Sequence, residues 1–82
     1  MKRSLDTLQP GDRAIVSGIR CEGPLRQRLL DIGFTSDTEV TCLGRSPLGD
    51  PTAYTVKGAV LALRREDAAT VIIKDGRDVL WD

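Results

Sequence analysis

Apolar residues along this chain fall mostly into short alternating runs, separated by glycine, proline and charged residues. One stretch breaks that pattern: Pro24-Leu25-Arg26-Gln27-Arg28-Leu29-Leu30-Asp31-Ile32-Gly33-Phe34. Leu25, Leu29 and Ile32 recur at i, i+4 and i+7, so they share one face of a helix. Pro24 suits the first helical position, where its missing N–H costs nothing. Gly33 suits the residue just past the end, where a left-handed backbone closes the helix. The spacing predicts a helix over about residues 24–33. At about two and a half turns it is too short to stand alone, so it must lie on the rest of the chain. Arg26 and Arg28 near its start and Asp31 near its end oppose the helix macrodipole. At about 100° per residue, Leu30 falls well off the apolar stripe. A leucine off the stripe, flanked by arginines, is either a scattered surface residue or the anchor of a docking face.

The remaining pattern predicts strands. Arg13 to Ile19 is rich in Ile and Val, with Gly18 as a bend or bulge. Thr38 to Leu43 alternates, with Val40 and Cys42 facing inward. Thr52 to Val56 and Ala59 to Arg64 are joined by Lys57-Gly58, a tight hairpin turn in which Gly58 takes positive φ. In the second of these, Leu61 and Leu63 point one way and Val60 and Ala62 the other, which suggests cover on both faces. Val71 to Ile73 is a fifth strand. Ser4 to Leu8 reads as one helical turn with Leu5 and Leu8 inward, and about 66–69 as another. Ser46-Pro47-Leu48-Gly49-Asp50-Pro51 is a loop dense in turn formers, and with no P-loop lysine it reads as a rigid turn. Five short strands joined by tight turns imply a mainly β fold. The expected architecture is a small five-stranded antiparallel barrel that closes to hide its edges, with one inserted helix.

Composition narrows the function. Eighty-two residues make one small domain. We read 1–74 as that domain and 75–82 as a tail, an extra strand or a subunit contact through Trp81. Twelve basic and twelve acidic residues cancel, so the long-range pull toward nucleic acid or anionic lipid is missing. Phe34, Tyr54 and Trp81 are the only aromatics and do not interleave with basic residues, which argues against a single-strand binder. The N-terminus lacks the apolar run of a signal peptide, and no stretch is long enough to span a bilayer. The expectation is a cytoplasmic protein with reduced thiols and no direct membrane insertion.

Candidate chemistry is sparse. There is no histidine, which removes the commonest general base and metal ligand. No nucleophile–base pair is readable, so an enzyme is not expected. Cys21 and Cys42 lie twenty-one positions apart, with no zinc-module spacing. Cys42 reads as a small buried apolar residue. Cys21 beside Glu22 offers two ligands, enough for an adventitious divalent ion and too few for a site. No cofactor and no intrinsic iron site are expected.

Four segments then occur in an order and spacing that carry a resemblance. They are Leu5-x-x-Leu8-x-x-Gly11, the helix end Arg28-Leu29-Leu30-Asp31-Ile32-Gly33-Phe34, the loop Ser46-Pro47-Leu48-Gly49-Asp50-Pro51, and Lys57-Gly58-Ala59-Val60-Leu61-Ala62-Leu63-Arg64-Arg65-Glu66-Asp67-Ala68. From about Leu5 to Lys74 the chain closely resembles the ferrous iron transport protein A (FeoA) family. It departs in two places: Thr35-Ser36-Asp37 replaces the usual Pro-Gly turn, and the tail runs past the usual end. The resemblance implies an SH3-like barrel in the bacterial cytosol. It also implies an accessory or regulatory role in ferrous iron uptake, with the cytosolic part of the transporter FeoB as partner. On that reading Arg26, Arg28 and Leu30 on the helix, with Leu48 in the loop, are the candidate partner-binding residues. The alternative is a GTPase-activating protein acting in trans on the transporter's G-domain through Arg26 or Arg28. A homodimer, through the tail or a bridging metal, is a further expectation.

Overall fold

Alternation decides the architecture. In a computed structural model, which describes residues 2–75, six strands form one antiparallel sheet. The elements are β1 (Lys2–Ser4), a 3-10 turn (Leu5–Thr7), β2 (Arg13–Ile19), α1 (Pro24–Ile32), β3 (Glu39–Arg45), β4 (Thr52–Val56), β5 (Ala59–Leu63), α2 (Arg65–Ala68) and β6 (Val71–Asp75). The strand order is β1-β6-β2-β3-β4-β5. Every second residue of the inner strands points to one face, and those residues are buried: Ala14 and Val16, Val40 and Cys42, Tyr54 and Val56, Val71 and Ile73.

The expected barrel gains one strand. There are six strands, the additional one being β1, which pairs with β6 from Lys2 opposite Lys74 to Ser4 opposite Ile72. Its sequence is polar and three residues long, so no hydrophobic pattern announces it; backbone pairing makes it a strand. Among the described residues β5 pairs only with β4, and β1 only with β6.

Two bulges bend the sheet. The β2–β6 register shifts between Val16 and Gly18, and the β3–β4 register between Cys42 and Gly44. Each leaves one residue, Ser17 or Leu43, outside the ladder and raises the local twist, which curls a small sheet around one core. Lys57 and Gly58 both have positive φ, 51° and 80°. That is the type I′ pair whose twist matches the flanking strands. The helix α1 begins at Pro24 and stops at Gly33, whose φ is 133° and whose N–H bonds back to the Leu29 carbonyl at 3.2 Å. A side chain at Gly33 would meet Lys57 Cδ at 3.4 Å, so both conformation and space favour glycine there.

The residues from 76 onward, including Trp81, lie outside the described residues, and so do the tail and the contacts expected of it.

Cys42 and Tyr54 face one another across β3 and β4 in the core. Burial pushes the Cys42 thiol up, partly offset by the Arg45 charge. Burial also pushes the Tyr54 phenol up, to about 12. The folded state therefore disfavours tyrosinate. The stability contributed by neutral Tyr54 is fully present below pH 10 and is lost as pH rises toward about 12. Tyr54 is the sole tyrosine, so tyrosinate absorbance should titrate with a midpoint well above 10 in the folded protein, with melting temperature falling over the same range. A disulfide-exchange thiol reagent should modify Cys21 in the native protein and reach Cys42 only at the rate of unfolding.

Candidate functional site

The partner-facing residues expected from sequence do not all come to the surface. Leu30 is half-buried, where an exposed anchor was expected. Arg26 stands four residues before it on the same helical flank. Its guanidinium turns back to the carbonyl of Ile19 at 2.9 Å, at the end of β2. That bond holds the flank of α1 carrying both residues toward the sheet, and Arg26 is itself half-buried. The wet side of the helix lies elsewhere, where Gln27 donates to the Asp31 carboxylate at 2.8 Å.

Arg28 is exposed and lies 3.5 Å from the Asp67 carboxylate of α2. A pair this exposed contributes at most about 1 kcal/mol, but it links the two helices. The start of α2 is tied to the long loop, since the Asp50 carboxylate accepts the Arg65 backbone N–H at 2.8 Å. The short helix thus joins α1 to the loop that carries Leu48. Sequence spacing alone does not show this connection, because thirty-nine positions separate Arg28 from Asp67.

Leu48 is the most exposed large apolar residue in the described chain, at 93%. Its loop is drawn shut beneath it by Ser46 N–H to the Pro51 carbonyl, 3.0 Å, and Gly49 N–H to the Ser46 carbonyl, 2.8 Å. Gly49 has a φ of 88°, and the Asp50–Pro51 peptide is cis. The side chain is therefore presented on a closed loop. Beside it lies a shallow groove lined by Leu43, Arg45, Ser46, Pro51, Ala53 and Ala62.

The outer face of β3, β4 and β5 is the surface that sequence reasoning missed. Cover was expected on both faces of β5. In fact Val60 is 68% exposed, Leu43 is 47% exposed, and Ala62 is open as well. Alternation shows which residues share a face; it cannot show that a strand sits at an edge with nothing over its outer side.

Cys21 and Glu22 part company. Cys21 is half-buried against the core, whereas Glu22 is exposed. Among the described residues no three of Cys, Asp and Glu gather where they could hold one ion. No helix of the described chain is long and apolar enough to cross a membrane.

Comparisons with known proteins agree with this geometry. Residues 3–75 match the model of the FeoA domain family. A curated relative from Porphyromonas gingivalis (strain ATCC BAA-308 / W83), a fusion of Fe(2+) transport protein A with the Fe(2+) transporter FeoB, is 34% identical over 70 residues. That match takes in 85% of this chain, which spans 8% of the length of the fusion protein. Among solved structures, an FeoA-like protein from Clostridium acetobutylicum aligns with a TM-score of 0.84 at 28% identity, over 92% of this chain and 87% of that one. FeoA from Stenotrophomonas maltophilia, described as an SH3 domain protein and complexed with zinc, aligns with a TM-score of 0.78 at 25% identity, over 87% and 88%. With the family match running from within β1 to the end of β6, this chain belongs to the FeoA family, small accessory SH3-like proteins associated with ferrous iron transport and not a family of enzymes.

Proposed function

We propose that this protein is a regulatory subunit of ferrous iron uptake that binds the cytosolic part of FeoB and does no chemistry of its own. The observation that supports this most directly is the fusion relative, in which an FeoA segment and FeoB share one chain. Covalent linkage keeps two domains at high effective concentration, an arrangement useful for modules that work in contact. The surface chemistry of this chain fits a binding role. Leu48 stands on a closed loop, so little conformational freedom is lost when it docks. The loop joins α2 and, through Asp67, Arg28, so one partner can touch all three. Leu30 and Arg26 are half-buried, and Arg26 is held to the Ile19 carbonyl, so on this reading they lie behind the loop tip and not at it.

Stimulation of GTP hydrolysis by an arginine acting in trans draws no support from Arg26, which is bound to the Ile19 carbonyl. Arg28 is exposed and held only by a surface pair to Asp67, so it is the one arginine of the two free to reach a partner.

Two variants separate contact from support. Leu48→Glu should leave the melting temperature unchanged and weaken binding to purified FeoB cytosolic domain by about tenfold or more, the loss of one apolar anchor. Leu30→Glu should cost about 1 kcal/mol through lost half-burial, lowering the melting temperature by about 4–8 °C. Calorimetric titration and thermal melts read the two effects. Absence of any binding by the unaltered protein would refute the proposed partnership.

A further inference from the structure

The two edges of the sheet are built differently. β1 is three residues long and contains Lys2 and Arg3. Short length and charge are the usual means of blunting a strand edge. The opposite edge, β5, reads Ala59-Val60-Leu61-Ala62-Leu63, five residues with no charge, proline or bulge. Nothing pairs with its outer side among the described residues.

The free groups on that edge can be identified. Val56 and Ala59 flank the two-residue type I′ turn and are register partners, so they exchange both backbone bonds. Bonded and non-bonded pairs alternate along an antiparallel ladder. Tyr54–Leu61 and Thr52–Leu63 are therefore bonded pairs as well. The N–H and C=O groups of Val60 and Ala62 point away from β4. Their side chains lie on the open outer face, with Ala62 opposite Ala53 and Val60 opposite Thr55.

Charge selects the occupant. From Lys57 to Arg65 the chain holds three cations, Lys57, Arg64 and Arg65, and no acid. None of the three forms an ion pair within the described residues. Asp50 reaches this region, but its carboxylate is taken up by the Arg65 N–H. The edge is thus an apolar strand with a cation at one end and two at the other. A second copy paired antiparallel about Leu61, the middle of the strand, would set Lys57 of one copy against Arg65 of the other.

We infer that β5 is a strand-addition site, at which an extended segment of the transporter with alternating apolar residues and acidic flanks pairs with Val60 and Ala62. Main-chain bonds supply affinity, while the outer apolar face and the flanking cations supply selectivity. This inference rests on the partnership proposed above and names the surface that serves it. The strand leads through Arg64 into α2, to whose first residue the Leu48 loop is bonded, so the edge and the loop tip belong to one continuous surface.

The test titrates the full chain against purified FeoB cytosolic domain and follows amide hydrogen exchange by NMR. The expected result is slowed exchange at Val60 and Ala62 in the complex. Val60→Pro removes one outward N–H without touching the β4 ladder and should weaken binding by about tenfold, the scale of one lost hydrogen bond. Lys57→Glu with Arg64→Glu should weaken it further and reduce its salt dependence. If the unaltered protein binds while both amides stay unprotected and Val60→Pro binds equally well, the strand-addition site is refuted and the partnership stands. If the unaltered protein does not bind, the partnership itself fails. Protection at the two amides that grows with protein concentration and no transporter present, together with a dimer mass by light scattering, would assign the edge to a second copy and overturn the inference. The exchange readout needs no variant, so a folding defect in Val60→Pro does not spoil the test.

Discussion

A curled sheet this small buries one face, and side chains from outside the strands must close it. Among the described residues, five of the fourteen buried apolar ones do so: Leu5 and Leu8 from the first turn, Leu29 from α1, Phe34 just after it, and Ala68 from α2. Phe34 and Tyr54 are the largest fully buried side chains of the described chain, one from the cover and one from the sheet. Every other element is placed by this closure. The helix lies where Leu29 and Phe34 can enter the core, and its left-handed stop at Gly33 turns the chain so that Phe34 N–H bonds back to the Leu29 carbonyl at 3.0 Å.

With one face closed, the other is free. Among the described residues no second layer covers the outside of β3, β4 and β5, and the apolar residues there are exposed. Leu43, Leu48 and Val60 are the exposed large apolar residues of the described chain, and they come from the bulge of β3, the closed loop and the edge strand. The chain has no histidine and its charges balance, so it lacks the commonest general base and a strong long-range field. Zero net charge also means that association is steered weakly at long range, which leaves selectivity to contacts made after encounter.

Several elements were legible because their signal is local. Leu25, Leu29 and Ile32, with proline before and glycine after, predict α1 to within a residue of its end. Arg13–Ile19, Thr52–Val56 and the Lys57-Gly58 turn stand where alternation and turn chemistry put them. The bend at Gly18 appears as a register shift. β1 escaped because Lys2, Arg3 and Ser4 carry no apolar period; β6 supplies the pairing that makes them a strand. β6 itself runs on to Asp75, two residues beyond its apolar run, for the same reason. Leu30 is half-buried where full exposure was expected, because helical angle says which residues share a flank and not what that flank meets.

Read alone, the chain determined its class, its helix, most of its strands and the residues of its inward face, because periodicity, proline and glycine act within a few residues of one another. Tertiary structure alone decided which strands became edges, which apolar residues stayed wet, and that α2 joins Arg28 to the Leu48 loop. Those outcomes depend on contacts between positions far apart in sequence. Such contacts follow from how the whole sheet curls around its core, and no local pattern encodes them.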